Sequence, residues 1–140
     1  MKRNYQFLTL IAFTIIILNA CSKGEGDGLR KLTYKISGNV GVPFGVQYTP
    51  SITNPNETDF TNYNYEETIT SLPWEKTVSL HKYVSGGGLS VSVDDAVPGT
   101  SLTLKIFEGS EEKASKTLVV NENGWIDNGL INYYFEEFRM

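Results

Sequence analysis

From Leu32 onward the apolar side chains recur every second residue, and turn signals interrupt them at short intervals. Leu32, Tyr34 and Ile36 alternate with Thr33, Lys35 and Ser37. Leu89, Val91 and Val93 do the same with Ser90, Ser92 and Asp94, and Leu102, Leu104 and Ile106 with Thr103 and Lys105. A period of two puts one set of side chains on a core face and the other in water, which is a strand and not a helix. The expected strands are 32–37, 42–48, 60–72 toward its end, 75–83, 89–93, 102–106, 115–120 and 130–135. The breaks between them carry turn chemistry: Asn54-Pro55-Asn56, Gly86-Gly87-Gly88, Val97-Pro98-Gly99, Asn123-Gly124 and Asn128-Gly129. Pro43 and Gly45 within the second stretch suggest an edge strand or a bulge. Seven or eight short strands at such spacing, with no helical pattern beyond residue 20, predict an all-β antiparallel sandwich.

The segment before this pattern has another character. Lys2 and Arg3 precede an apolar run from Phe7 to Leu18, followed by Leu18-Asn19-Ala20-Cys21 and then by Ser22-Lys23-Gly24-Glu25-Gly26-Asp27-Gly28. Twelve residues are too few for the ~20 that span a bilayer, and suit the apolar core of a signal peptide. The four residues ending at Cys21 resemble the lipobox of bacterial lipoproteins: an aliphatic residue at −3, a small one at −1, then cysteine. Asn19 at −2 departs from the usual small residue. The resemblance implies cleavage before Cys21, a diacylglyceryl thioether on its sulfur and an acylated amino group. Each buried methylene contributes about 0.8 kcal/mol, and one chain holds only marginally, so two or three chains on one residue make a firm anchor. The expected organisation is a signal peptide over 1–20, a tether with lipidated Cys21 over 21–30, and a sandwich domain over 31–140. Ser22 at +2, by the same resemblance, directs the lipoprotein to the outer membrane, periplasmic or surface-exposed.

Charge and cysteine count narrow the function. The chain has a formal net charge of −4, and loss of Lys2 and Arg3 with the signal leaves −6. No basic stripe is present for phosphate, so nucleic acid is excluded as a partner. Cys21 is the single cysteine; the domain therefore has no disulfide and no thiolate metal site. No metal and no cofactor is expected.

Candidate site residues are few. His81 is the single histidine, without the partner that zinc binding or nucleophilic catalysis requires. Glu66-Glu67 and Asp94-Asp95 are adjacent, and neighbours on a strand point to opposite faces. Asp94-Asp95 and Asn121-Glu122-Asn123-Gly124 read as turns; the latter lacks the further ligands of a calcium loop. No catalytic residue is identified, and the chain reads as a non-enzyme. Tyr63 and Tyr65 share a face and, with Phe60, form either packed strand aromatics or a ligand-contact surface. Tyr133-Tyr134-Phe135 is a second aromatic cluster. Pro73 and Trp74 read as structural, the proline setting the chain direction and the tryptophan packing at a sheet corner.

At Leu72-Pro73-Trp74 the chain resembles the mycobacterial membrane protein small (MmpS) transport-accessory family. Tyr34-Lys35-Ile36-Ser37-Gly38 is similar to that family's opening strand, Val46-Gln47-Tyr48-Thr49 to its second, and Leu72-Pro73-Trp74 with Lys76-Thr77-Val78 to its central turn. The resemblance implies an immunoglobulin-like β-sandwich that assists a membrane transport system. Family members use a membrane helix and often a cysteine pair, where this chain has a lipobox and no pair. The expected function is a lipid-anchored accessory or binding module of the cell envelope, partnered by the membrane through Cys21 and by an envelope transport or membrane protein. The alternative is a surface lipoprotein that binds a glycan or small ligand.

Overall fold

The computed structural model describes residues 28–54 and 65–139. Cys21, Phe60 and Tyr63 lie outside these residues, as do the signal peptide and nearly all of the tether. Eight strands follow one another: β1 (Leu29–Gly38), β2 (Phe44–Tyr48), β3 (Tyr65–Ile69), β4 (Trp74–His81), β5 (Gly86–Ser92), β6 (Ser101–Glu108), β7 (Glu111–Val119) and β8 (Leu130–Tyr134). A single turn of 3-10 helix, Glu136–Phe138, ends the described chain. No described helix is long and apolar enough to cross a membrane.

The strands form two four-stranded sheets, ordered β4-β1-β6-β7 and β3-β2-β5-β8, with every ladder between these strands antiparallel. The expected all-β sandwich is therefore the fold. β1, β2, β3, β4, β5 and β8 take the places of strands B, C, C′, E, F and G of an immunoglobulin variable domain. The β6–β7 hairpin is inserted between the last two and lies on the free side of β1, where an immunoglobulin domain has strand A. The hairpin turns at Gly109, whose φ of +60° is easily reached by a residue without Cβ.

The period-two pattern explains the core. Leu32, Tyr34 and Ile36 of β1 and Leu102, Leu104 and Ile106 of β6 are fully buried, facing Val46 of β2 and Leu89 of β5 across the sandwich. Each such side chain contributes about 1.5–3 kcal/mol by leaving water, and that sum replaces the absent disulfide.

Three local expectations are corrected. β2 is a central strand, between β3 and β5, not an edge; Pro43 precedes its first residue, where a missing N–H costs no ladder bond. Gly86-Gly87-Gly88 is not a turn but the start of β5, paired with Tyr134, Tyr133 and Asn132 of β8. β7 begins at Glu111 instead of Ser115, because the turn before it is only Gly109-Ser110.

Two of the four sheet edges, β4 and β8, are protected. Ile52 lies against β4, donating its N–H to Ser79 O at 2.9 Å and accepting from His81 N at 2.7 Å. On β8, Lys116 Nζ reaches the carbonyl of Leu130 at 3.4 Å and Arg139 Nε that of Tyr134 at 3.1 Å. Cations on exposed carbonyls discourage pairing with a second chain.

Candidate functional site

The two outer faces differ in kind. On the first sheet, cross-strand pairs cover the surface: Lys35 with Glu75 at 2.9 Å, Lys105 with Glu112 at 2.7 Å, Thr33 with Thr77 at 2.9 Å and Thr103 with Thr117 at 3.1 Å. Such pairs satisfy one another. On the second sheet the outward positions of β5 are Gly86, Gly88, Ser90 and Ser92, and Gly45 lies beside Ser92 on β2. The middle of this face is left almost without side chains. Gln47 bounds it on one side; Leu130, Asn132 and Tyr134 of β8 bound it on the other. The result is a shallow trough of about 240 Å³.

Thr49, the one buried polar residue among those described, ties the trough floor to the core. Its N–H donates to Gly88 O at 3.1 Å, and its Oγ1 accepts from Gly88 N at 3.0 Å. Its carbonyl accepts the Tyr34 hydroxyl at 3.2 Å. Thr49→Val keeps the shape and removes the acceptor of the Gly88 N–H. It is expected to cost about 1–2 kcal/mol and to speed amide exchange at Gly88 well ahead of Ser90, read by hydrogen–deuterium exchange.

The glycines of the floor are not equivalent. A Cβ on Gly86 would lie 2.0 Å from the Tyr133 carbonyl oxygen, and one on Gly87 would lie 2.4 Å from the Tyr34 hydroxyl. Both are excluded by fixed parts of the fold. A Cβ on Gly88 would meet only Asn132 Oδ1 closer than 3 Å, the far end of an exposed side chain that can turn away. Packing therefore explains Gly86 and Gly87 but does not require Gly88.

The aromatic residues nominated from sequence separate. Tyr65 is on the core-facing side of β3, at the sheet edge, half exposed. Its ring stands 5.5 Å from that of Tyr48, which is 5.7 Å from both Tyr34 and Trp74. Trp74 is partly buried against the core at this seam, beside the Leu72–Pro73 bond, which is cis. Burial raises the Tyr48 hydroxyl above its usual range against the opposing pull of the Lys76 ammonium, and the neighbouring Tyr48 hydroxyl in turn raises Lys76. This seam is a continuous aromatic ladder from core to surface. Of the second cluster, Tyr133 and Phe135 point inward and Tyr134 outward.

At the opposite seam, between β7 and β8, Tyr133 donates to Glu108 Oε2 at 2.8 Å; burial and then the Glu108 carboxylate raise its hydroxyl. Arg30 pairs with Glu137, which it holds below the usual carboxylate range, and its guanidinium lies 4.3 Å from the Phe135 ring. Each of these polar groups thus already has a partner within the seam. The His81 ring lies tilted against that of Tyr83, centroids 4.9 Å apart, and its Nδ1 accepts the Tyr83 N–H at 3.4 Å.

Asn121 Oδ1 accepts from Asn123 N and Trp125 N at 2.9 and 3.3 Å, and Asp127 holds Asn121 Nδ2 and Trp125 Nε1. Residues 121–127 are thus a self-satisfied turn. Among the described residues no three His, Cys, Asp or Glu side chains converge as metal ligands would.

Sequence reasoning does not find the trough, because three consecutive glycines at 86–88 carry a turn signal. Its signal was present in the phase: Gly86, Gly88, Ser90 and Ser92 continue one alternation, with the smallest side chains all on one face.

Comparison with known proteins finds no matching family model, no matching curated protein and no matching solved structure.

Proposed function

We propose that the protein is a lipid-anchored, non-enzymatic binding module of the cell envelope, most readily placed at the outer membrane, which meets its ligand on the bare face of the second sheet. The observation that carries the reading is the contrast between the two faces: one covered by mutually satisfied side chains, the other floored by glycine and serine, with Gly88 not required by packing. An immunoglobulin-like sandwich held by its core alone, on a tether, is a suitable carrier for such a face. The transport-accessory role implied by the resemblance to the MmpS family is a narrower form of the same reading, with a membrane protein as the occupant.

The anchor is tested on protein isolated from its own cells. Intact-mass spectrometry is expected to show a chain beginning at Cys21 and carrying a diacylglyceryl group and a further acyl chain. Cys21→Ala is expected to move the protein from the membrane fraction to the soluble one. An unmodified sulfur, or residues 1–20 still attached, would remove the anchor from the account.

A further inference from the structure

We infer that the trough on β2, β5 and β8 is a subsite for one ring of an uncharged sugar. The inference rests on the binding-module reading and names its ligand class.

None of the described side chains lining the trough is charged, on a chain of formal charge −4. A charged ligand seated there would lose hydration without a counter-charge. A wholly apolar ligand would cover hydroxyl and amide groups and leave them unpaired. What remains is a neutral molecule with many hydroxyls. Asn132 carries an amide that donates and accepts, the Ser90 hydroxyl does both, and Gln47 offers its amide oxygen while its Nε2 donates to Glu66 Oε2 on the rim at 3.5 Å; a pyranose's hydroxyls match such a set.

The trough also has an apolar wall. Tyr134, with 52% of its surface exposed, and Leu130, with 47%, stand on β8 beside the floor. A pyranose has patches of C–H on its ring faces, which pack on a tyrosine ring while the hydroxyls turn to the amides. The volume of about 240 Å³ is below the ~300–1,000 Å³ of pockets that enclose drug-sized ligands. A trough of that size seats one ring. With the Asn132 amide turned off Gly88, the glycine floor lets the ring approach the β5 backbone, and a side chain at position 88 would occupy that space.

The test uses the full chain in detergent micelles, labelled with 15N. Glucose, galactose, mannose and N-acetylglucosamine are titrated, with glucuronate as the charged control. The expected result is a saturable shift of the Gly86, Gly87, Gly88 and Ser90 amides with at least one neutral sugar and a weaker response to glucuronate. Gly88→Val is expected to weaken that response about tenfold or more, with an unchanged circular-dichroism spectrum and a melting temperature no lower than that of the parent chain. Ser90→Val should act in the same direction and guards against a local fault at position 88. Silence of these amides toward all four neutral sugars, or shifts that persist undiminished in both variants, overturns the inference. If the sugars are silent but an extract of the cell envelope shifts the same amides, the sugar assignment falls while the binding module stands. If the extract is silent too, both fall.

Discussion

Gly87→Ala is expected to destabilise the protein by about 3 kcal/mol, whereas Gly88→Ala, one residue along the same strand, is expected to be neutral or stabilising by about 0.5–1 kcal/mol. The difference is steric. The added Cβ at 87 points into the core, 2.4 Å from the Tyr34 hydroxyl and 2.9 Å from Leu32 Cδ1, both fully buried. Neither neighbour has room to move in a close-packed interior. The added Cβ at 88 points outward and displaces only the exposed Asn132 amide. There the usual gain from replacing glycine in a strand is realised. Chemical denaturation of the two variants measures the contrast, and equal losses would show that Gly88 is structural after all. Because the Tyr34 hydroxyl is the nearest obstacle, Gly87→Ala combined with Tyr34→Phe should cost less than the sum of the two changes.

The largest loss is expected from Tyr34→Ala, about 3–5 kcal/mol. The ring fills the middle of the sandwich, 5.7 Å from that of Tyr48, and its hydroxyl holds the carbonyl of Thr49. Tyr34→Phe removes the hydroxyl alone and is expected to cost about 1 kcal/mol at neutral pH. The same residue sets an alkaline limit. Burial raises its hydroxyl above the ordinary value of 10.0. Above pH 10 the unfolded chain loses this proton while the folded chain retains it, so stability falls as pH rises, by about 1.4 kcal/mol per pH unit for this group. Below pH 10 both states are protonated and the group contributes no slope. Tyr34→Phe should therefore flatten the decline above pH 10. Tyr48 and Tyr133 are raised in the same direction and leave a residual slope. Urea titrations at pH 8 and pH 11 give the comparison, and an undiminished slope in Tyr34→Phe would contradict it.

Much of the architecture was legible because burial in a two-layer sandwich imposes a period of two. Leu32, Tyr34 and Ile36 announced β1, and Leu102, Leu104 and Ile106 announced β6, each with the inward residues correctly in phase. What the pattern does not encode is which strands become neighbours. Pro43 and Gly45 suggested an edge for β2, yet the proline stands just outside the strand and the glycine is an outer-face position beside Ser92. Gly86-Gly87-Gly88 carries a turn signal because glycine is conformationally free in the unfolded chain. Its tertiary cause, the backbone of β8 on one side and Tyr34 on the other, lies tens of residues away in sequence. The aromatic set was legible as a set but not in its division: alternation placed Tyr65 on a face, and only the register with Tyr48 shows that this face is the seam beside Trp74.

The bare face of the second sheet is the surface on which the protein is proposed to meet its ligand at the envelope. A photoreactive phenylalanine analogue placed at Tyr134, on the trough wall, and separately at Phe107, on the outer face of the first sheet, tests it in living cells. A discrete crosslinked product is expected from position 134, lost when Gly88→Val is added, and none from position 107. Equal labelling from both positions, or a product at 134 indifferent to Gly88→Val, would contradict it.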